Sequence, residues 1–314
     1  MDILVANHRL ENVGGTESFT LTIAKELHNR NHHVEYFTFY RGEISNLLEE
    51  IGVNFMSKKK YDLILANHNT CVRALKKRGL VIQTCHGIYP ELEQPSNDAY
   101  AHVAISVEIQ NHLASKGFFS KLIFNPIDTE KFIPTKPTNE NLTNVLSLCH
   151  SNEAHNLVED CCKELNLNFK KFDKYLSPSF NIEKDINESD IVIGLGRSLY
   201  EAMSCGRPVI SYDYRKQYME SYGDGYLKDI LGFSLLNNCS GRYTKNTYNK
   251  EKLKVEILKY NYSDGIFLRN IIVENFDVRK KVDEYISYYE SILSINPKIF
   301  LKKLYSILFL KKLV

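Results

Sequence analysis

Asp190-Ile-Val-Ile-Gly-Leu-Gly-Arg-Ser-Leu-Tyr-Glu-Ala-Met-Ser-Cys-Gly-Arg-Pro-Val-Ile-Ser-Tyr-Asp213 is the stretch whose reading decides the fold. The apolar run Ile191 to Ile193 enters a glycine turn, Gly194-Leu-Gly196-Arg197. A helix is expected from Ser198 with Glu201 in its first turn, and a second apolar run, Val209 to Tyr212, follows at once. Strand, glycine turn, helix and strand at this spacing make one unit of a parallel sheet covered on both faces. Glycines permit close backbone approach, and the helix start offers free N–H groups at the carboxyl end of a strand, where open α/β sheets bind ligands. Gly194, Gly196, Arg197, Ser198 and Leu199 are therefore candidate contacts for a diphosphate, and Glu201 for ribose hydroxyls. A structural alternative stands beside this one. Ser198 and Glu201 also form a capping box, in which each side chain bonds the other's backbone N–H. Arg197 and Arg207 either add charge to the site or are surface cations.

The same alternation runs outward in both directions. Apolar runs at Ile3–Ala6, Val34–Phe39, Tyr61–Ala66, Leu80–Thr84, Ala101–Ile105 and Lys121–Phe124 read as strands, with helical periodicity between them. Residues 132–143, with Pro134 and Pro137, read as a linker. Strands resume at Val145–Cys149, Phe169–Phe172, Ile191–Ile193 and Val209–Tyr212, and helices at 250–260, 265–275 and 278–292. Residues 218–247 read as loop-rich. The expected architecture is α/β, two Rossmann-like domains facing a cleft. Residues 1–130 are expected to form the first domain, 131–275 the second, and 276–314 a last helix with a basic amphipathic tail.

Composition narrows the classes. The chain has 314 residues, 43% hydrophobic and 25% charged, which suits two folded domains. Forty Lys and Arg against 38 Asp and Glu leave a net charge of +2, which gives no case for a nucleic-acid partner. Seven irregularly spaced cysteines with no CxxC pair argue against a disulfide framework or a zinc site. The start shows no basic leader and no 18-residue apolar span occurs, so a cytoplasmic location is expected. In the tail, Phe300, Leu304, Ile307 and Leu308 recur at helical spacing between Lys302, Lys303, Lys311 and Lys312. This is either a helix lying on an anionic membrane surface or a last helix docked on the first domain.

In the first half, Gly14-Gly15-Thr16 joins the first strand to the first helix. No GK[ST] follows, and the pattern is not GxGxxG, which sets aside ATP and NAD. His86-Gly87 ends the fourth strand, where an imidazole can donate to a sugar hydroxyl. His8 and His68, just past neighbouring strand ends, are its rivals, while His32-His33 sits at a helix–strand turn away from the cleft. No carboxylate or second histidine stands at ligand spacing, so no metal is expected. Asn125-Pro-Ile-Asp128 is a turn that falls where the chain crosses between domains.

These residues, in this order, resemble the retaining glycosyltransferases of the GT-B type, and within them the family 4 group. Gly14-Gly15-Thr16-Glu17 is similar to that family's GG(T/A)E loop, Arg30-Asn-His-His-Val34 to its RGHEV turn, and Asn125-Pro-Ile-Asp128 to N-G-(I/V)-D. Glu201-Ala-Met-Ser-Cys-Gly-Arg-Pro-Val-Ile210 is similar to EAMACG(L/R)PVI. The resemblance covers most of residues 1–293. It implies transfer of a sugar from a UDP- or GDP-sugar with retention at the anomeric carbon and without a metal cofactor, with residues 1–130 on the acceptor side and residues 131–275 holding the nucleotide sugar. It also implies that Glu201 grips the ribose, that Gly15 lies near the diphosphate or the acceptor, that His86 lies near the transferred sugar, and that the last helix crosses back to the first domain.

Two departures bear on activity. The family's E-x7-E pattern begins eight residues before Glu201, where this chain has Ile193. Its arginine and lysine after the second domain's first strand are replaced by His150-Ser-Asn-Glu-Ala-His155. The expectation is a retaining hexosyltransferase in which Arg197 and the helix start meet the leaving charge. Its acceptor would be a glycan, glycolipid or protein-linked glycan, as in surface polysaccharide synthesis. The alternatives are a decayed transferase serving as a scaffold at a membrane, and a nucleotide-sugar epimerase.

Overall fold

The computed structural model describes residues 1–172, 181–215 and 220–295. The basic amphipathic reading of residues 297–314 lies outside the described residues.

The first half forms a seven-stranded parallel sheet. Its strands are β1 (Asp2–Ala6), β2 (His33–Phe37), β3 (Asn54–Phe55), β4 (Leu63–Ala66), β5 (Leu80–Cys85), β6 (Ala101–Ala104) and β7 (Ser120–Leu122), in the order β3-β2-β1-β4-β5-β6-β7. Helices α1 (Gly15–Asn29), α2 (Glu43–Glu50), α3 (Asn69–Leu75) and α4 (Val107–Ser115) connect them. The period-two geometry of a strand explains its composition. On β1, Ile3 and Val5 join the core under α1, while Leu4 and Ala6 join the core under α3. A strand buried on both faces has to be apolar at every position.

The second half repeats the plan. Strands β8 (Asn144–Leu148), β9 (Asn168–Lys171), β10 (Ile191–Gly194), β11 (Val209–Arg215), β12 (Glu220–Tyr226) and β13 (Asn246–Thr247) lie in the order β9-β8-β10-β11-β12-β13. The helices are α5 (Asn152–Glu164), α6 (Ile182–Glu188), α7 (Arg197–Ser204), α8 (Leu231–Leu236), α9 (Lys250–Ile257) and α10 (Asp264–Asn275). On β10, Val192 faces the core with α7 and α10, and Ile191 and Ile193 face the core with α5 and α9. Strand β12 pairs antiparallel with β11, and β13 antiparallel with β12. The loop-rich reading of 218–247 is corrected here. This segment holds two strands and α8. Glu220-Ser-Tyr-Gly-Asp-Gly-Tyr226 forms a strand because β11 offers it an open edge, and its own pattern carries little β signal.

Two crossings join the halves. Ile127 bridges Asp277, its N–H donating to the Phe276 carbonyl and its carbonyl accepting from Val278. Helix α11 (Val278–Ile295) then returns to the first half, where Val282, Tyr285, Tyr289 and Ile292 pack with Ile3, Phe19 and Ile23. Between the sheets, 132–143 holds no helix or strand and is pinned from the second one. The buried Asp190 carboxylate accepts from the N–H groups of Asn139, Thr143 and Asn144 at 2.8–3.0 Å. Arg207, 1% exposed, donates to the carbonyls of Ile186, Ser189, Cys205, Lys136 and Asn187. Arg207 is thus a structural cation, neither a surface charge nor a member of the site. No helix among the described residues is long and apolar enough to cross a membrane.

Candidate active site

β1 leads toward α1 and β5 ends just before His86, while β10 leads into α7, whose Arg197 reaches Thr22 of α1 in the other half. The helix begins at Arg197, not Ser198, with Gly196 as its N-cap and no side-chain cap. Gly196 has φ 58° and ψ −128°, a mirror-extended conformation that glycine adopts because it has no Cβ. It turns the chain one residue early, and this removes the capping box. The Ser198 hydroxyl donates to the Leu195 carbonyl at 3.2 Å, and Glu201 accepts from Arg197 Nε at 2.8 Å. One helical turn separates that pair, so the side chains share a face.

Arg197 holds three groups at once. Besides Glu201, Nη1 donates to the Pro126 carbonyl at 2.9 Å and Nη2 to Thr22 Oγ1 at 3.0 Å. The Thr22 hydroxyl itself donates to the Ser18 carbonyl at 2.7 Å, which leaves its lone pair to the guanidinium. Helix α7 is thereby tied to α1 of the other sheet. A guanidinium has five N–H donors, so two remain for an incoming anion among the described residues. Burial raises the Glu201 carboxyl above its ordinary range, and Arg197 pulls the other way.

The amides of Arg197 and Ser198, as the first of a helix, lack intrahelical acceptors. The N–H of Gly196 donates to the Cys239 carbonyl at 3.1 Å. Asn238 and Cys239 both have positive φ, 57° and 46°, and their turn lies against the helix start. Asn238 Oδ1 accepts from the Tyr200 hydroxyl and from Asn125 Nδ2, each at 3.0 Å. The Asn125–Asp128 turn thus meets the second half at Asn238. Its Asp128 accepts from Lys25 at 3.0 Å.

His86 stands across the cleft, half-buried, edge-on to Phe19 of α1 with ring centroids 4.7 Å apart. Its tautomer follows from its neighbours. Thr20 Oγ1 donates to the Thr16 carbonyl, so it accepts from Asn7 Nδ2 and Asn67 Nδ2. That turns Asn67 Oδ1 toward His86 Nε2, 3.0 Å away, and Nε2 carries the proton. Burial, then His68, then Arg197 push the ring down to about 3, so it is neutral at physiological pH. The rivals are committed elsewhere. His68 Nδ1 accepts the His8 N–H at 3.1 Å, and the His8 ring meets Thr70 Oγ1 at 2.9 Å. His32 and His33 sit at the amino end of β2, beside Met1 and Asp2, away from the cleft.

Gly14 and Gly15 enter α1 on the same side, and a Cβ on Gly15 would meet nothing within 4 Å. Gly194 differs, since its missing Cβ lets the Leu148 carbonyl approach to 3.1 Å of that position. Leu199 is fully buried and packs in the core under α7. It is a packing residue, and only its backbone belongs to the helix start. Beside Glu201 opens a cavity of about 210 Å³ between α1 and α2 on one side and Lys131, Phe132 and Ile182 on the other.

The two departures from the family pattern have structural counterparts. Ile193 is fully buried between strands and faces the α5 side, away from the cleft. At the end of β8, the His150 N–H and the Ser151 hydroxyl both bond Asp213, at 3.1 and 3.3 Å, and Ser151 caps α5. His155 is buried against Ser147 Oγ at 2.8 Å. Sequence reasoning missed the contacts that bring the halves together: Thr22 with Arg197, Asn125 with Asn238, and Glu108 with Arg242. Each joins residues more than a hundred positions apart, and no local pattern marks them.

No protein-family model and no curated protein sequence matches the chain. Solved structures do. Anabaena HepE in complex with UDP and glucose superposes with a TM-score of 0.61 at 16% identity, over 93% of this chain and 100% of that one. A glycosyltransferase from Rickettsia africae gives 0.63 at 15%, over 93% and 98%. S. aureus TarM, in complex with fondaparinux, α-GlcNAc-glycerol and UDP, gives 0.61 at 10%, over 92% and 100%. The chain has the GT-B fold of these enzymes.

Proposed function

We propose that the chain is a glycosyltransferase taking a sugar from a nucleoside diphosphate, with UDP the nucleotide favoured by the company of its fold. The observation that carries this reading is the start of α7. There two free amides and a guanidinium with spare donors lie one turn from a buried carboxylate, facing α1 and His86. HepE and TarM, similar in fold, hold UDP.

In this reading the diphosphate meets the amides of Arg197 and Ser198 and the spare N–H groups of Arg197, and Glu201 accepts ribose hydroxyls. His86, neutral and with Nδ1 as an acceptor, takes a hydroxyl of the transferred sugar. The C1–O bond to phosphate breaks and the acceptor oxygen bonds C1 on the same face, so the configuration is retained. The acceptor proton passes to the departing phosphate oxygen. Charge on that oxygen is met by helix amides and guanidinium, an electrostatic role worth ~3 kcal/mol per oriented donor. No metal is required for it. The acceptor proposed is a glycan, free or carried on lipid or protein, and the location proposed is the cytoplasm or the inner face of a membrane.

Calorimetry with UDP and GDP, followed by slow hydrolysis of a nucleotide-sugar panel in the presence of EDTA, tests the proposal. UDP binding with release of free sugar supports it. Silence to both nucleotides returns the chain to a scaffold, and recovery of an epimerised nucleotide sugar would make it an epimerase.

A further inference from the structure

Three exposed aromatic rings come from the two halves of the molecule, two from the second and one from the first. Phe233 and Tyr243 stack nearly parallel, centroids 5.1 Å apart and planes 13° from one another. They are 54% and 43% exposed. Tyr89, 57% exposed, belongs to the other half of the molecule and lies three residues beyond His86. Arg242 spans the gap between them. It is the chain neighbour of Tyr243, its Nε and Nη2 donate to the two Glu108 oxygens at 2.7 and 2.6 Å, and its guanidinium lies 6.0 Å from the Tyr89 ring centroid.

This chemistry has two parts. Ring faces of this area left in water cost ~25 cal/mol per Å² of apolar surface, and covering them recovers that energy. A charged pair, 14% and 15% exposed, borders the rings with polar atoms. A pyranose matches both features, with C–H groups on its faces and hydroxyls around its edge. A lipid chain would bring nothing to the Arg242–Glu108 pair. A donor nucleoside gripped by Glu201 opens instead onto the cavity with Phe132 and Ile182, which none of these rings lines.

We infer that Tyr89 and the Phe233–Tyr243 pair form a subsite for a sugar unit of a glycan acceptor, completed only when Arg242 joins the two halves. The inference rests on the glycosyl-transfer reading and adds to it the residues that hold a sugar unit of the acceptor away from the reacting carbon.

The chain has no Trp, so Phe233→Trp places a single tryptophan in the subsite, excited at wavelengths where the tyrosines do not absorb. This variant is titrated with short malto-, cello- and chito-oligosaccharides, and with phosphatidylglycerol vesicles. The wild type is titrated with UDP by calorimetry in parallel. The expected result is a saturable emission change with at least one saccharide series, weakened about tenfold when Tyr89→Ala is added from the other half. A reporter silent to every saccharide while UDP binds overturns the subsite and leaves the transferase reading standing. Silence to saccharides and UDP alike overturns both. A response to vesicles alone replaces the sugar with a lipid surface, and a saccharide response indifferent to Tyr89→Ala removes the shared site.

Discussion

Arg197 Nε donates to Glu201 at 2.8 Å across one turn of α7, so the carboxylate proposed for the ribose is held by the guanidinium proposed for the phosphates. Arg197→Ala should lower kcat by ~10²–10³, the usual loss for one oriented donor. It also leaves Glu201 with only the weaker pull of Lys131, and the carboxyl, already raised by burial, rises further. UDP affinity of that variant should therefore increase with pH across the acid range, where the wild type changes less. Calorimetry at several pH values checks this. A variant with flat affinity and full turnover would remove Arg197 from the site.

His86 and His68 are neutral in the fold, pushed by burial to about 3 and about 4. An unfolded histidine titrates near 6.5, so between that value and the folded ones the unfolded chain binds more protons. Stability is full above about 6.5 and is lost as pH falls below it. Thermal melts should show Tm dropping between pH 7 and 5, above the range where carboxylates contribute most. His68→Gln should flatten part of the slope. An equal slope in that variant would mean other groups carry it.

The Glu108–Arg242 pair is bidentate and mostly buried, and it joins the two halves. Glu108→Arg should separate them and enlarge the radius of gyration in small-angle scattering. The exchange Glu108→Arg with Arg242→Glu should restore it, with a coupling energy on the order of 1–3 kcal/mol. If the single variant scatters like the wild type, closure does not depend on this pair.

Arg207 tests a residue whose role is mechanical. Its guanidinium donates to five carbonyls in the interior and binds the linker at Lys136. Arg207→Met removes the guanidinium from those carbonyls, of which Ile186 keeps the N–H and hydroxyl of Ser189, and each buried acceptor left unpaired costs ~1–3 kcal/mol. Urea denaturation should show the midpoint falling sharply. A midpoint unchanged within error would mean that water replaces the guanidinium at little cost.

The alternation of apolar runs with helical periodicity was legible because burial on both faces makes a strand apolar throughout, as Ile3–Ala6 and Ile191–Ile193 are. The Asn125–Asp128 crossing was legible from its turn residues. Three things were not. Strand β12 borrows its conformation from the edge of β11. The start of α7 depends on the φ of Gly196, which composition does not reveal and which moved the cap from Ser198. The burial of Arg207 depends on carbonyls from Lys136 to Cys205 converging in space. In each case the cause is a tertiary contact, which local pattern does not encode.

Gly15 separates folding from function most cleanly. It opens α1 with no positive φ, and a Cβ there would meet nothing within 4 Å. The free fold therefore gives no reason for a glycine, and its bareness suits whatever enters the cleft. Gly15→Ala should leave Tm unchanged or slightly higher, since a compatible Gly→Ala change typically stabilises by about 0.4–1 kcal/mol. The same methyl stands where the diphosphate or acceptor is proposed to approach, so turnover of the nucleotide sugar should fall about tenfold or more, equivalent to ~1.4 kcal/mol of transition-state stabilisation. Melting curves and steady-state kinetics on one preparation read both quantities. A fall in Tm would show that the glycine serves the fold, and unchanged kinetics would show that substrate does not approach this loop.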